Sequence, residues 1–323
     1  MITLFFRAKR EGVNSIEMVY GNLDRFLDVH QNVAVPCQGA GLRALWENIK
    51  FARRNRTAVN HVTGDVHYIV IGTGRNTVLT IHDIGSVIYG SALKRFFLKL
   101  LWLWIPAVIV KKISVISEFT KGELSAMIPF AKNKIVVVPN AFCPKISYEP
   151  KVFNATCPTI LHMGTNCNKN LERTIEALKG VRCHLNVVGK LTCEQKSLLD
   201  ESGIDYENHY DVDFMEIIKF YHECDIVSFP SYYEGFGVPV LEANAAGRPI
   251  VAGDIPVLHE VGDKAACYVN PYDVSAIRDG FKKIIGDEAY RNEIVNQGFL
   301  NIKRFAPQRI AEKYNDVYDS IKW

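Results

Sequence analysis

The chain has 323 residues, 48% of them hydrophobic and 23% charged, with a formal net charge of +3. That length exceeds the size at which one hydrophobic core usually stops growing, so two domains are expected, and the balanced composition excludes long disordered tails. So small a net charge excludes bulk attraction to nucleic acid as a function.

In chain order, short β-type runs alternate with helical patterns, the signature of parallel sheets built from right-handed β-α-β units. A first series of strands is predicted at 2–8, 33–37, 59–63, 77–81, 113–116 and 135–138, with helices at 14–27 and 42–54 between them. The most apolar run, LLWLWIPAVIV at 100–110, is shorter than the roughly 20 residues a membrane-spanning helix needs, and Pro106 interrupts it. Residues 143–158 hold three prolines without a helical period and read as a linker. The first domain is therefore placed at 1–148 and the second at 149–306.

A second series of strands follows, at 159–163, 183–188, 225–229, 249–252 and 266–269. Phe214, Ile217, Ile218 and Tyr221 share one helical face between them. From Val274 the pattern is helical to Trp323, with Ile310, Tyr314, Val317 and Ile321 on one stripe that must dock on something. The eight cysteines form no CxxC pair and no secretory signal precedes them, which predicts reduced thiols and a cytoplasmic site.

The segment richest in chemistry is CDIVSFPSYYEGFGVPVLEANAAGRPIV, from Cys224 to Val251. Its start reads as a buried strand, residues 232–237 as a loop, and 238–246 as a helix with Pro239 in its first turn and Gly247 as C-terminal cap. Glu234, Gly235, Phe236, Gly237 and Val238 then lie beside free N–H groups at a helix start, where phosphate or sugar hydroxyls can be held, and Glu242 lies further along the helix. Ionised carboxylates accept from several hydroxyls at once, so two glutamates around a glycine turn suit a sugar, although an ordinary loop with two solvated glutamates has the same residue types.

The stretch from Pro230 to Val251 resembles the signature of glycosyltransferase family 4, with Asn244 and Ala246 departing from the usual residues. The resemblance extends along nearly the whole chain. ILHMG at 160–164 and NKNL at 168–171 resemble the family's first C-domain strand and lysine-bearing loop; VLTIHDI at 78–84 resembles the N-domain strand ending in His-Asp; ISEFTK at 116–121 and the Gly12–Glu17 loop have counterparts too. It implies a GT-B fold: two Rossmann-like domains with parallel sheets facing across a cleft, and a C-terminal helix of about 307–323 crossing back to the N-terminal domain.

It also implies a retaining hexosyl transfer without an obligatory metal or other cofactor, from a UDP-, GDP- or dTDP-sugar to a saccharide or lipid-linked saccharide in cell-surface polysaccharide assembly. The catalytic side chains would be His82, Glu234 and Lys169. Donor contacts would come from Gly12, Gly164, Lys169, Lys190, Tyr210, Glu234 to Val238, and Glu242. Asn14, His61 and Asp83 would lie on the acceptor side. Asn170 is expected to cap the helix after Lys169. A sugar-nucleotide epimerase of similar fold and a silent nucleotide-sugar-binding subunit are the alternatives from other classes.

Two signals are set aside. Asp211-Val-Asp213 matches a metal-binding Asp-x-Asp, but Asp213 three residues before Glu216 reads better as a capping box. The stretch from Lys94 to Trp104 combines cations with a wide apolar face, which suits either a helix lying on a membrane surface or a buried N-domain helix.

Overall fold

The computed structural model describes residues 1–9, 15–39, 41–84, 96 and 98–322, which form two compact units, Met1–Ala141 with Pro307–Trp323, and Phe142–Ala306. The first unit is built on six parallel strands: β1 (Ile2–Phe6), β2 (His30–Ala34), β3 (Val59–Val62), β4 (Thr77–Ile81), β5 (Lys112–Val115) and β6 (Ile135–Val137). Their order in the sheet is β2-β1-β3-β4-β5-β6. Every residue of β1, β3 and β4 is buried, because a parallel sheet is covered on both faces; the buried polar residues among them, such as Asn60 and His61 of β3, are hydrogen-bonded.

The edge strand β2 begins earlier than the expected 33–37. Its first residues are polar and carry no β pattern, yet Asp24 holds both His30 Nε2 at 2.7 Å and Asn32 Nδ2 at 2.9 Å, fixing that register.

The C-terminal helix Pro307–Asp319 packs on this unit, burying Ile310, Ala311, Tyr314 and Tyr318. Its seat is partly polar. His61 joins Tyr318 OH through Nδ1 and Thr80 Oγ1 through Nε2, each at 2.7 Å, and Tyr20 OH bridges Thr80 Oγ1 at 2.8 Å and Tyr314 OH at 3.1 Å. His61 is wholly buried there, and burial lowers its pKa to about 3. The acceptor-side expectation for His61 is therefore corrected: the ring fastens a helix. The neighbouring His67 is also buried and structural, with Nδ1–H donated to the Trp102 carbonyl at 2.8 Å.

The apolar run becomes a π-helical stretch, Lys99–Trp104, followed by the α-helix Ile105–Ile109. Trp104 and Ile105 keep helical backbone angles and Ile105 N–H bonds the Leu100 carbonyl, so the chain runs helically through Pro106, which follows directly on the π-helical turn. Lys94 and Arg95 lie outside the described residues. No helix among the described residues is long and apolar enough to cross a membrane.

The second unit has six parallel strands, β7 (Thr159–Met163), β8 (His184–Val188), β9 (Asp205–His209), β10 (Ile226–Phe229), β11 (Ile250–Gly253) and β12 (Cys267–Val269), in the order β12-β11-β10-β7-β8-β9. β9 carries no strand signal in the sequence. It is the edge, pairs only with β8, and its Asp205 and Glu207 face solvent. Residues 142–148 belong to this unit: Phe142 N–H bonds the Phe305 carbonyl at 3.1 Å and Tyr148 packs edge-on against Phe299 at 5.1 Å.

Candidate active site

In a doubly wound sheet the ligand crevice opens beyond the carboxyl ends of the strands, where the strand order reverses. In the second unit β7 pairs with β8 on one side and β10 on the other, so that switch lies between β7 and β10. The loops that leave these two strands carry Lys169 and Glu234. Lys169 Nζ meets Glu234 Oε1 at 2.7 Å, with the two side chains 20% and 11% exposed. Asn168 ties the loops together, giving Nδ2 to the Tyr233 carbonyl at 2.9 Å and to Glu234 Oε1 at 3.3 Å, while its own carbonyl accepts from Tyr232 N–H at 3.1 Å.

Lys169 is also fixed from beneath. Its ammonium stands 4.7 Å from the centre of the Phe229 ring, a cation–π contact at the end of β10. Its stem runs along Gly164, where a Cβ would come within 3.0 Å of Lys169 Cγ and the backbone has φ +90°. Gly164 thus acts by leaving room.

Asn170 departs from its expected role. It adopts a left-handed backbone, φ 63°, and its side chain does not cap the helix Leu171–Leu178. It donates instead to the carbonyls of Pro230 at 2.9 Å and Pro271 at 2.6 Å, bracing the Glu234 loop.

The helix Val238–Ala246 begins at Gly237 with φ +108° and no side-chain cap, so no capping side chain takes up its first-turn N–H groups. A Cβ on Gly237 would come within 2.4 Å of Leu258 Cδ2. Phe236 is buried, edge-on to Phe305 at 5.9 Å; its ring packs the core, leaving only backbone to face a ligand. Glu242 is half-buried and accepts the Tyr221 hydroxyl at 2.6 Å. Desolvation raises its pKa, opposed by the Tyr221 bond and the Lys169 charge. Tyr221 was legible only as a packing residue; nothing in an aromatic on an apolar stripe announces a hydroxyl aimed at a carboxylate.

Lys190 and Tyr210 follow the neighbouring strands β8 and β9, at the same edge of the sheet, and both are exposed. The Lys190 carbonyl accepts from Thr165 Oγ1 at 2.7 Å, which joins the loops after β7 and β8. Asp213 and Glu216 form the expected capping box, each side chain bonding the other's backbone N–H, at 3.0 Å and 3.2 Å.

In the first unit His82 follows β4. Its Nε2 lies 2.8 Å from the Thr63 carbonyl, which can only accept, so Nε2 carries the proton. Burial lowers the pKa of the ring, so Nδ1 is a bare acceptor near neutral pH. Gly64 admits the ring, since a Cβ there would come within 2.8 Å of His82 Cδ2. Asp83 beside it is exposed. Gly12 and Asn14 lie outside the described residues.

One cluster went unread in the sequence. Arg7, 6% exposed at the end of β1, pairs with both Glu17 oxygens, Nε–Oε1 3.1 Å and Nη2–Oε2 3.0 Å, and with Asp65 Oδ2 at 2.7 Å. The only signal was a charge closing an apolar strand.

Residues 157–287 match the family model described as "Glycosyl transferases group 1". The O-antigen chain mannosyltransferase RfbU of Salmonella typhimurium is 26% identical over 285 residues, 82% of this chain and 75% of that protein. Among solved structures, Anabaena Alr3699/HepE in complex with UDP and glucose superposes with a TM-score of 0.76 at 15% identity, covering 99% of both chains. Sucrose-phosphate synthase from Thermosynechococcus elongatus gives 0.75 at 18% identity, over 99% of this chain and 98% of that one. The architecture is the GT-B fold. Together the family match and the similar protein support a glycosyltransferase.

Proposed function

We propose that this chain is a retaining glycosyltransferase of family 4. It transfers a hexosyl group from a nucleotide-sugar bound by the second unit to a saccharide, or lipid-linked saccharide, bound by the first. The observation that carries this reading is the Lys169–Glu234 pair, held at 2.7 Å across the switch point of the second unit.

The chemistry follows from the charges. Departure of a nucleoside diphosphate leaves negative charge on phosphate and oxocarbenium character on the sugar, so preorganised cations and N–H groups near the phosphates supply most of the stabilisation. Lys169 and the uncapped helix start at Gly237 supply them. Glu234 accepts from donor-sugar hydroxyls, and in doing so holds Lys169 in place. Glu242 takes the ribose, with Lys190 and Tyr210 toward the base. His82 offers Nδ1 to a hydroxyl of donor or acceptor, positioning rather than deprotonating it. Attack comes on the face the diphosphate leaves, with the departing phosphate taking the acceptor proton. No metal is required in this scheme: the capping box already accounts for Asp213.

RfbU is named for O-antigen chain mannosyl transfer, which supports cell-surface polysaccharide assembly; we place that work at the cytoplasmic face of a membrane. Exposed Phe96, Trp104 and Val108, 51%, 37% and 66% accessible, suit peripheral contact with that surface. HepE was solved with UDP, while the relative's name points to mannose, so UDP-, GDP- and dTDP-sugars are the donors to screen by thermal stabilisation. A donor at 100-fold its dissociation constant should stabilise by about 2.7 kcal/mol.

Glu234→Ala should lower transfer at least about 100-fold, the scale of losing one preorganised polar group at a reacting centre, with a native circular-dichroism spectrum. Near-normal turnover by that variant would refute the assignment.

A further inference from the structure

We infer that the first unit holds a subsite for one uncharged sugar ring, in the pocket at the carboxyl ends of β1, β2 and β3. This rests on the transfer reading and names the group at its acceptor end. The pocket has a volume of about 170 Å³ and is lined by Arg7, Cys37, Gln38, Asp65, Tyr68 and Trp102 among others. It is smaller than the roughly 300 Å³ at which pockets for whole small molecules begin, and suits a single ring.

Its place in the fold matches that of the pair in the second unit. β1 pairs with β2 on one side and β3 on the other, so the order of this sheet reverses between β1 and β3. Arg7 follows β1 and Asp65 follows β3, and they meet at 2.7 Å across that point. Each sheet therefore carries a cation and a carboxylate joined over its switch point.

The charges select the ligand. Arg7 is bonded to two carboxylates, so the trio with Glu17 and Asp65 is net negative by one charge. The guanidinium is only 7% exposed, whereas Glu17 and Asp65 are 31% and 46% exposed. Of the two carboxylates only Asp65 lines the pocket, so a phosphate entering here meets it before the buried Arg7 and is repelled, whereas a sugar donates a hydroxyl to it. Asp65 is built in place: it holds a left-handed backbone, φ 56°, with its carbonyl bonded by Trp102 Nε1 at 2.7 Å and its carboxylate by Arg7. With its N–H spent on that bond, the Trp102 indole contributes carbon surface to the wall, which suits the apolar face of a pyranose.

Cys37 in the same wall reports occupancy. The intact protein is alkylated with iodoacetamide and mapped by peptide mass spectrometry, with exposed Cys193 as internal control. The probes are the methyl glycosides of glucose, galactose and mannose at millimolar concentration, and inorganic pyrophosphate. At least one glycoside should slow Cys37 modification several-fold, pyrophosphate should not, and Asp65→Asn should abolish the protection; Trp102→Ala should too, where it folds. Protection by pyrophosphate alone, or by none of the probes, overturns the subsite, as does protection that survives Asp65→Asn. Donor stabilisation measured in the same samples separates the two readings. A stabilising nucleotide-sugar without glycoside protection sinks the subsite only, and glycoside protection without any stabilising nucleotide-sugar sinks the donor assignment.

Discussion

Glu242 shows what a ligand-binding side chain costs its own fold. It is half-buried, its pKa is raised mainly by desolvation, and its one strong partner is the Tyr221 hydroxyl. A carboxyl whose folded pKa lies above its unfolded value contributes stability that is complete below the unfolded value and is lost as pH rises through the folded one. At neutral pH the ionised group therefore works against folding. Glutamine keeps an acceptor for Tyr221 and removes the charge. Glu242→Gln should accordingly raise the unfolding temperature at pH 7.5, with the gain shrinking toward pH 4, while donor affinity falls. An unfolding temperature below wild type at pH 7.5 would contradict this account. Lys169 and Glu234 behave differently, since each neutralises the other and removing either strands a largely buried charge. Those two glutamates and the lysine were singled out by the resemblance to the family 4 signature, since an ordinary loop with solvated charges has the same residue types. Tyr221 and Asp65 were not, because nothing local marks the partner of a distant side chain.

Elements follow the same division. Strands with a continuous apolar run were readable; the edge strand β9, with the sequence DYENH, was not, since an edge strand of polar residues is set by its neighbour β8 and not by burial. The C-terminal helix was readable as an amphipathic stripe, but its seat in a polar network was hidden. Tyr314 and Tyr318 reach Tyr20 and His61, so the helix is held by hydroxyls inside an apolar core. Such a network is worth most when complete. Tyr318→Phe preserves the packing and leaves His61 Nδ1 buried with no partner, a loss of about 1–3 kcal/mol. Measured by denaturant titration, this variant should lose stability without changing the slope of the transition. A loss under about 0.5 kcal/mol would show that the hydroxyl is a bystander. The same observation explains why His61, which the sequence allowed as an acceptor contact, is a fastener.

For the molecule as a whole, two parallel α/β domains were visible because two runs of alternating strands and helices separated by a proline-rich stretch admit few topologies, while the GT-B arrangement was read from the resemblance to family 4. The histidines were the least legible feature, and they govern how the protein responds to acid. Burial lowers His61 and His162 to about 3 and His67 to about 4, while an unfolded histidine titrates near 6.5. For a group whose folded pKa is depressed, its stabilising contribution is complete above the unfolded value and is lost as pH falls toward the folded one. The vulnerable window is therefore pH 6.5 down to about 3, and its upper part lies above the range in which carboxylates titrate. At pH 5 all three rings are neutral in the folded chain and charged in the unfolded one, so unfolding should take up about three protons from them, a slope on the order of 4 kcal/mol per pH unit. Glu242 opposes this, because its raised pKa lets the folded state keep a proton the unfolded state gives up. Calorimetry at pH 5 in buffers of different ionisation enthalpy measures the net uptake. A value of two to three protons agrees with rings sealed from water, whereas uptake below one means that these histidines already reach solvent, and with it a proton, in the folded chain.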